Sequence, residues 1–241
     1  MKKITTIVLL LLLAKVNLAQ DYRKFRFGLK AAPSVSWLKP DSKEFKSEKA
    51  QLKFSYGLMT EFALSENYSF VTGLEITTVG GGLRFPDSTY VKHEADQLKD
   101  YMLLSRTYNL KYVDLPLLLK MKTNEIGYFT YFGQFGFNTS FRTKARANDS
   151  GRLFTSQSVV SEFSDIDIEK DISFFRVALN LGLGAEYNIA GNTSLVFGVN
   201  YSNGFTNALK KNSVNIKDKT GAALNQKAVS NFVALNLGIL F

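Results

Sequence analysis

His93 is the only histidine, in the segment STYVKHEADQLKD beside Glu94 and Asp96. A metal centre or a Ser–His nucleophile would have to use it. A lone loop histidine next to two acids is read as solvated. A second cluster, SEFSDIDIEKD, gathers Glu162, Asp165, Asp167, Glu169 and Asp171. These oxygens could suit calcium, but their spacing is not that of an EF-hand loop. The alternation of Ile166, Ile168 and Ile172 instead predicts a hairpin arm that extends the sixth strand. VGGGLRF (79–85) lacks the Gly-Lys-Ser/Thr ending of a phosphate loop. It is expected to ease the third strand out of the sheet. An enzyme would need a converging polar constellation, and none can be assembled here. No catalytic, cofactor-binding or metal-ligating residue is assigned, and a non-enzymatic protein is expected.

Other charges stand in unusual company. Arg26, Lys30, Lys53, Lys120 and Arg176, with Glu61, Glu75, Asp114 and Glu186, lie on the small, polar side of alternating segments. Eight segments alternate with a period of two, which marks β-strands with two unlike faces. They are Phe25–Trp37, Gln51–Phe62, Tyr68–Gly80, Tyr108–Lys122, Tyr128–Arg142, Phe174–Tyr187, Ser194–Phe205 and Val233–Phe241. In the sixth, Phe175, Val177, Leu179, Leu181 and Leu183 oppose Arg176, Ala178, Asn180, Gly182 and Gly184. In the fourth, Leu110 and Tyr112 fall out of phase, and a bulge near Tyr112 is expected to restore it. Pro116 lacks an N–H and should sit where the ladder is already disturbed.

Short turns (LSEN, TNEIG, NIAGN) alternate with long polar links at 38–50, 84–107, 143–171 and 207–227. An even-stranded meander puts every long link at one end. This predicts an all-β fold, an eight-stranded antiparallel up-and-down transmembrane β-barrel. The small face should point inward, because eight strands leave a lumen just wide enough for side chains. The four acids would then pair within it with some of the five bases, because an unpaired buried charge is very costly. The bulky Phe, Leu, Tyr and Val face would meet lipid.

Residues 1–19 read as a secretory signal peptide: Lys2 and Lys3, an apolar run Ile7–Leu13, and Ala19 before Gln20. Residues 20–241 would form the barrel domain. Loss of Lys2, Lys3 and Lys15 lowers the formal charge from +9 to about +6. That scattered excess does not call for nucleic acid. The chain has no cysteine.

The tail VALNLGILF sets Val233, Leu235, Leu237, Ile239 and Phe241 on one side. It resembles the last strand of outer-membrane barrels, which ends in Phe and is recognised by the barrel-assembly machinery. YVDLPLLLK resembles the YLEIPLLLK-like mid-barrel strand of a Bacteroidetes-type family, the PorT-like barrels. FGLKAAPSVS resembles that family's GLKGGLN-like first strand, and LAQ its cleavage site. The resemblance implies the outer membrane of a Gram-negative bacterium. Lipid and assembly machinery are the implied partners, with envelope proteins meeting the long loops. It implies no cofactor. The family is named after a secretion-system component, and most members have no assigned role. A structural or surface-interaction role is expected, ahead of an accessory part in an envelope secretion machine or an enzyme.

Overall fold

The computed structural model describes residues 25–42, 45–86, 89–91, 100–154, 159–218 and 220–241. The proposed signal peptide and His93, with Glu94 and Asp96, lie outside the described residues. Eight long strands form the frame. They are β1 (Phe25–Pro40), β2 (Gln51–Ala63), β3 (Tyr68–Arg84), β4 (Tyr101–Lys122), β5 (Phe129–Leu153), β6 (Phe175–Ala190), β7 (Thr193–Gly204) and β8 (Ala228–Leu240). Each pairs antiparallel with its sequence neighbour. β8 closes the ring on β1, from Gly28↔Leu240 to Pro40↔Ala228.

Alternation sets the two faces. Phe27, Leu58, Leu74, Leu117, Phe137, Leu183, Phe197 and Leu237 are exposed on the outer wall. Ser36, Ser55, Asn138, Asn180, Ser202 and Asn236 are buried on the inner one. Such bulk faces lipid at no cost, and the small polar set fits a narrow interior. Prolines take the gaps in the ladders. Pro116 lies between Val71↔Leu118 and Glu75↔Asp114 on the β3–β4 seam. Pro33 lies between Ala31↔Leu237 and Ser34↔Ala234 on the β1–β8 seam. Neither can donate an N–H there.

Three features differ from the sequence reading. First, much of the second and third long links is strand. β4 begins at Tyr101 and β5 runs on to Leu153, well past the exposed apolar belt. Second, Leu110 and Tyr112 keep the inward phase of Asp114 and Lys120 and are fully buried. The register does shift between Lys111 and Tyr112, but Thr143 of β5 is the extra residue. These side chains need no rescue, because above the belt the interior itself turns apolar. Third, β3 does not leave the barrel at Gly80. It continues to Arg84, paired with β4. β2 starts only at Gln51, so here β1 meets β3 directly. Ser36 Oγ donates to Gly80 O (2.8 Å) and accepts from Gly80 N (3.0 Å). A Cβ on Gly81 would lie 2.7 Å from Leu38 N, which only glycine permits.

Beyond the belt, short strands widen the β4–β5 hairpin into a sheet. Tyr90–Val91 pairs with the start of β4 and with Asn212–Lys217, which in turn pairs with Ala223–Asn225. On the far side Val160–Asp167 pairs with β5. That strand is the hairpin arm expected from the isoleucines, but it extends β5. A 3-10 turn at Glu169–Asp171 separates it from β6.

Candidate functional site

The lumen is filled in layers. At the short-turn end stands a network of charges. Glu61 Oε2 lies 2.9 Å from Arg26 Nη2 and 2.9 Å from Lys120 Nζ, and its Oε1 is 2.6 Å from Lys122 Nζ. Glu186 accepts a two-pronged contact from Arg26, at 2.8 and 3.1 Å, and a bond from Lys120. Lys120 also stands over the Phe132 ring, 4.3 Å from its centre. Glu61, Lys120 and Glu186 are buried. Charges removed from water in this way persist only when each has several partners. Outside this layer, Arg26, Lys122 and Glu186 line a polar mouth of about 380 Å³ with Glu66, Glu125 and Asn188.

Next comes Lys30, 2.7 Å from Glu75. A void of about 40 Å³ separates this pair from Glu61 and Lys120. Amide pairs cross the middle, Gln134 to Asn200 and Asn180 to Asn138, both at 3.2 Å. Above them Arg176 is enclosed and bonds to hydroxyls. Its Nε donates to Ser230 Oγ (2.7 Å), with Ser202 and Ser140 at 3.3 and 3.4 Å. Asp114 is fully buried opposite Glu75 and Ser140.

Of the nine charges, six therefore form ion pairs: Arg26, Lys30, Glu61, Glu75, Lys120 and Glu186. Arg176 and Asp114 are buried without one, and Lys53 reaches out through the β2–β3 opening to Asn109 Oδ1 at 3.2 Å. Lys122 belongs to the network although it was not singled out. Its inward phase, two residues after Lys120, was the available signal.

Above Arg176 the filling becomes hydrophobic. Leu38, Val79, Leu110, Tyr112 and Phe232 from the strands pack with Phe45, Val91, Ile168, Leu209 and Ile216 from the connections. All four long connections contribute. Each buried Leu, Ile or Phe side chain stabilises by about 1.5–3 kcal/mol. Asp171 ties the third connection to the fourth: it accepts from Ser213 Oγ (2.8 Å) and Val214 N (2.6 Å). Three other acids of its segment turn to arginines, Glu169 to Arg142 (3.1 Å), and Asp167 and Asp165 to Arg146 (3.3 and 3.8 Å).

One ion pair lies in this apolar region, above the belt. Arg106 Nε and Nη2 donate to Asp149 at 2.6 Å each, and the Tyr101 hydroxyl donates to the same carboxylate. Phe163 stacks on Tyr101 at 4.0 Å. Burial, and then the Asp149 charge, raise the Tyr101 pKa well above the usual phenol value. The Arg106 pKa is raised as well: burial opposes its charge, and Asp149 overcomes that.

At the seam, Phe241 N donates to Phe27 O at 2.8 Å, and the two rings lie 5.5 Å apart. Val233, Leu235, Leu237 and Phe241 are exposed on the outer wall.

A family profile described as "Outer membrane protein beta-barrel domain" matches residues 18–233. Among solved structures, neisserial surface protein A is similar, with 12% identity, a TM-score of 0.44, and 90% of this chain and 96% of that one covered. The outer membrane protein OprG of Pseudomonas aeruginosa is similar at 13% identity and TM-score 0.44, covering 90% and 95%. The attachment invasion locus protein Ail of Yersinia pestis has 13% identity and a TM-score of 0.36, covering 90% and 99%. No curated protein matches the sequence.

Proposed function

Since the chain belongs to the outer membrane protein beta-barrel domain family, we propose that it is a closed, non-conducting barrel that holds a stiff sheet at the cell surface. Its role in this reading is structural or surface-interacting, and not enzymatic. The observation that carries it is the filling of the lumen along its whole height. Arg26, Glu61, Lys120, Lys122 and Glu186 block one end, and the apolar plug blocks the other. Long connections of such barrels face the cell exterior, so the widened β4–β5 sheet is the part offered to partners.

Residues 1–19 are taken as the export signal, and Val233, Leu235, Leu237, Ile239 and Phe241 as the strand presented to the assembly machinery. A second reading is an accessory of an envelope secretion machine. The likeness of YVDLPLLLK to the PorT-like barrels favours it. Conductance across planar bilayers tests the closed lumen. Purified protein should give no stable open level. A steady large-conductance state would refute the proposal.

A further inference from the structure

The outer wall of β4 and β5 changes character abruptly. Five outward rungs are apolar or nearly so: Met121↔Gly133, Leu119↔Phe135, Leu117↔Phe137, Leu115↔Thr139 and Val113↔Phe141. The next outward rung is Lys111↔Lys144, with both side chains exposed. Directly opposed residues have Cβ atoms about 4.5–5.5 Å apart, and like charges there destabilise a sheet. The rung beyond is Asn109↔Arg146, and Asn109 holds the Lys53 ammonium at 3.2 Å. Acids nearby are already engaged: Asp165 and Asp167 with Arg146, Glu169 with Arg142. Lys111 and Lys144 have no ion pair among the described residues. Two cations are thus set side by side where the lipid-facing belt ends, with no anion of the described residues paired to either.

We propose that Lys111 and Lys144, with Lys53 beside them, bind the phosphate of a lipid in the outer leaflet. The acyl chains would lie on Val113, Phe141 and the rungs below. The apolar ladder directly beneath the cations selects a lipid over a soluble anion, because only a lipid satisfies both parts at once. A phosphate between the lysines also removes the repulsion of the empty rung.

The test uses folded barrel in detergent micelles and native mass spectrometry. Bisphosphorylated lipid A, the same lipid dephosphorylated, inorganic phosphate and a sulfated heparin-like oligosaccharide are titrated in turn. Lys111→Gln/Lys144→Gln should weaken binding of the bisphosphorylated lipid by about 30-fold. A Lys210→Gln/Lys211→Gln control on the fourth connection should not. Without lipid, the Lys111/Lys144 variant should unfold at the same temperature or higher. Equal lipid binding by variant and parent would overturn the proposal. So would equal binding of the dephosphorylated lipid, or binding of phosphate or the oligosaccharide as tight as that of the lipid. A lower unfolding temperature of the lipid-free variant would overturn the repulsion argument. Binding in micelles does not depend on lumen conductance, so this test and the bilayer test fail separately.

Discussion

Asp149→Ala should loosen the sheet above the membrane and leave the barrel intact. The carboxylate accepts two bonds from Arg106 and one from Tyr101, and the two side chains of the ion pair are 1% and 0% exposed. Its removal leaves a guanidinium buried among Leu, Tyr and Ala with no counter-charge. Breaking one partner of such a pair costs about 3–5 kcal/mol. At 1.4 kcal/mol per factor of ten, the open population of the sheet rises by about two to three and a half orders of magnitude. Replacing both charges, as Arg106→Leu/Asp149→Leu, removes the unpaired ion and should recover most of the loss. Limited proteolysis of intact cells reads the opening, since cleavage tracks the open population when reclosing is fast. Heat-modifiable migration on gels reads the barrel. The reasoning fails if Asp149→Ala is as resistant as the parent, or if the double variant is cut as fast as the single one.

Four further outcomes are expected. Glu61→Gln should destabilise the micelle-folded barrel in urea more than Glu75→Gln, because Glu61 serves three cations and Glu75 one. Gly81→Ala should cost about 1–3 kcal/mol through collision with the Trp37–Leu38 backbone at 2.7–3.1 Å, whereas a Cβ on Gly82 would lie 3.1 Å from Glu48 Cβ and 3.3 Å from Lys49 N, a smaller overlap, and Gly82→Ala should be milder, as urea midpoints would show. The phenol of Tyr101 is held neutral, so its contribution is complete below the unfolded phenol pKa of about 10 and is lost only as pH rises towards the folded value. Alkaline absorbance titration to pH 11 should therefore be the same for folded parent and Tyr101→Phe, and should differ by one tyrosine after unfolding. Phe241→Lys should reduce surface-exposed protein in cells more than Lys210→Glu while folding in micelles persists, because a charge near the interface costs only about 0–1 kcal/mol; normal cellular levels would remove the assembly-signal reading.

Period-two alternation made the eight strands legible, because an eight-stranded wall permits only small side chains within and lipid rewards large ones without. Phe175 to Leu183 against Arg176 to Gly184 is enough to set β6. The same logic misplaced Leu110 and Tyr112. It assumed one interior polarity along the whole height, and that polarity reverses where the wall leaves the lipid. Ala145 and Ala147 gave no sign of an inward face, since alanine is too small to mark one, so the extension of β5 read as loop. Lys53 was assigned by phase alone. The missing β2–β3 ladder beside it, which opens a path outward, is a tertiary fact. Gly80–Gly82 signalled a special backbone, but glycine does not say whether the chain departs or is approached.

The plug shared by all four connections also constrains how the exposed face can diversify. Loops that stand alone can drift one by one. Here Phe45, Val91, Ile172 and Leu209 lie in one core, so a change in any one must be matched by the others. Drift is left to the alternate, outward positions such as Asn148 and Arg152. Sequences that diverge from this one should thus carry a checkerboard of variable and constant sites along the β4–β5 sheet, with compensating pairs between connections that are distant in the chain.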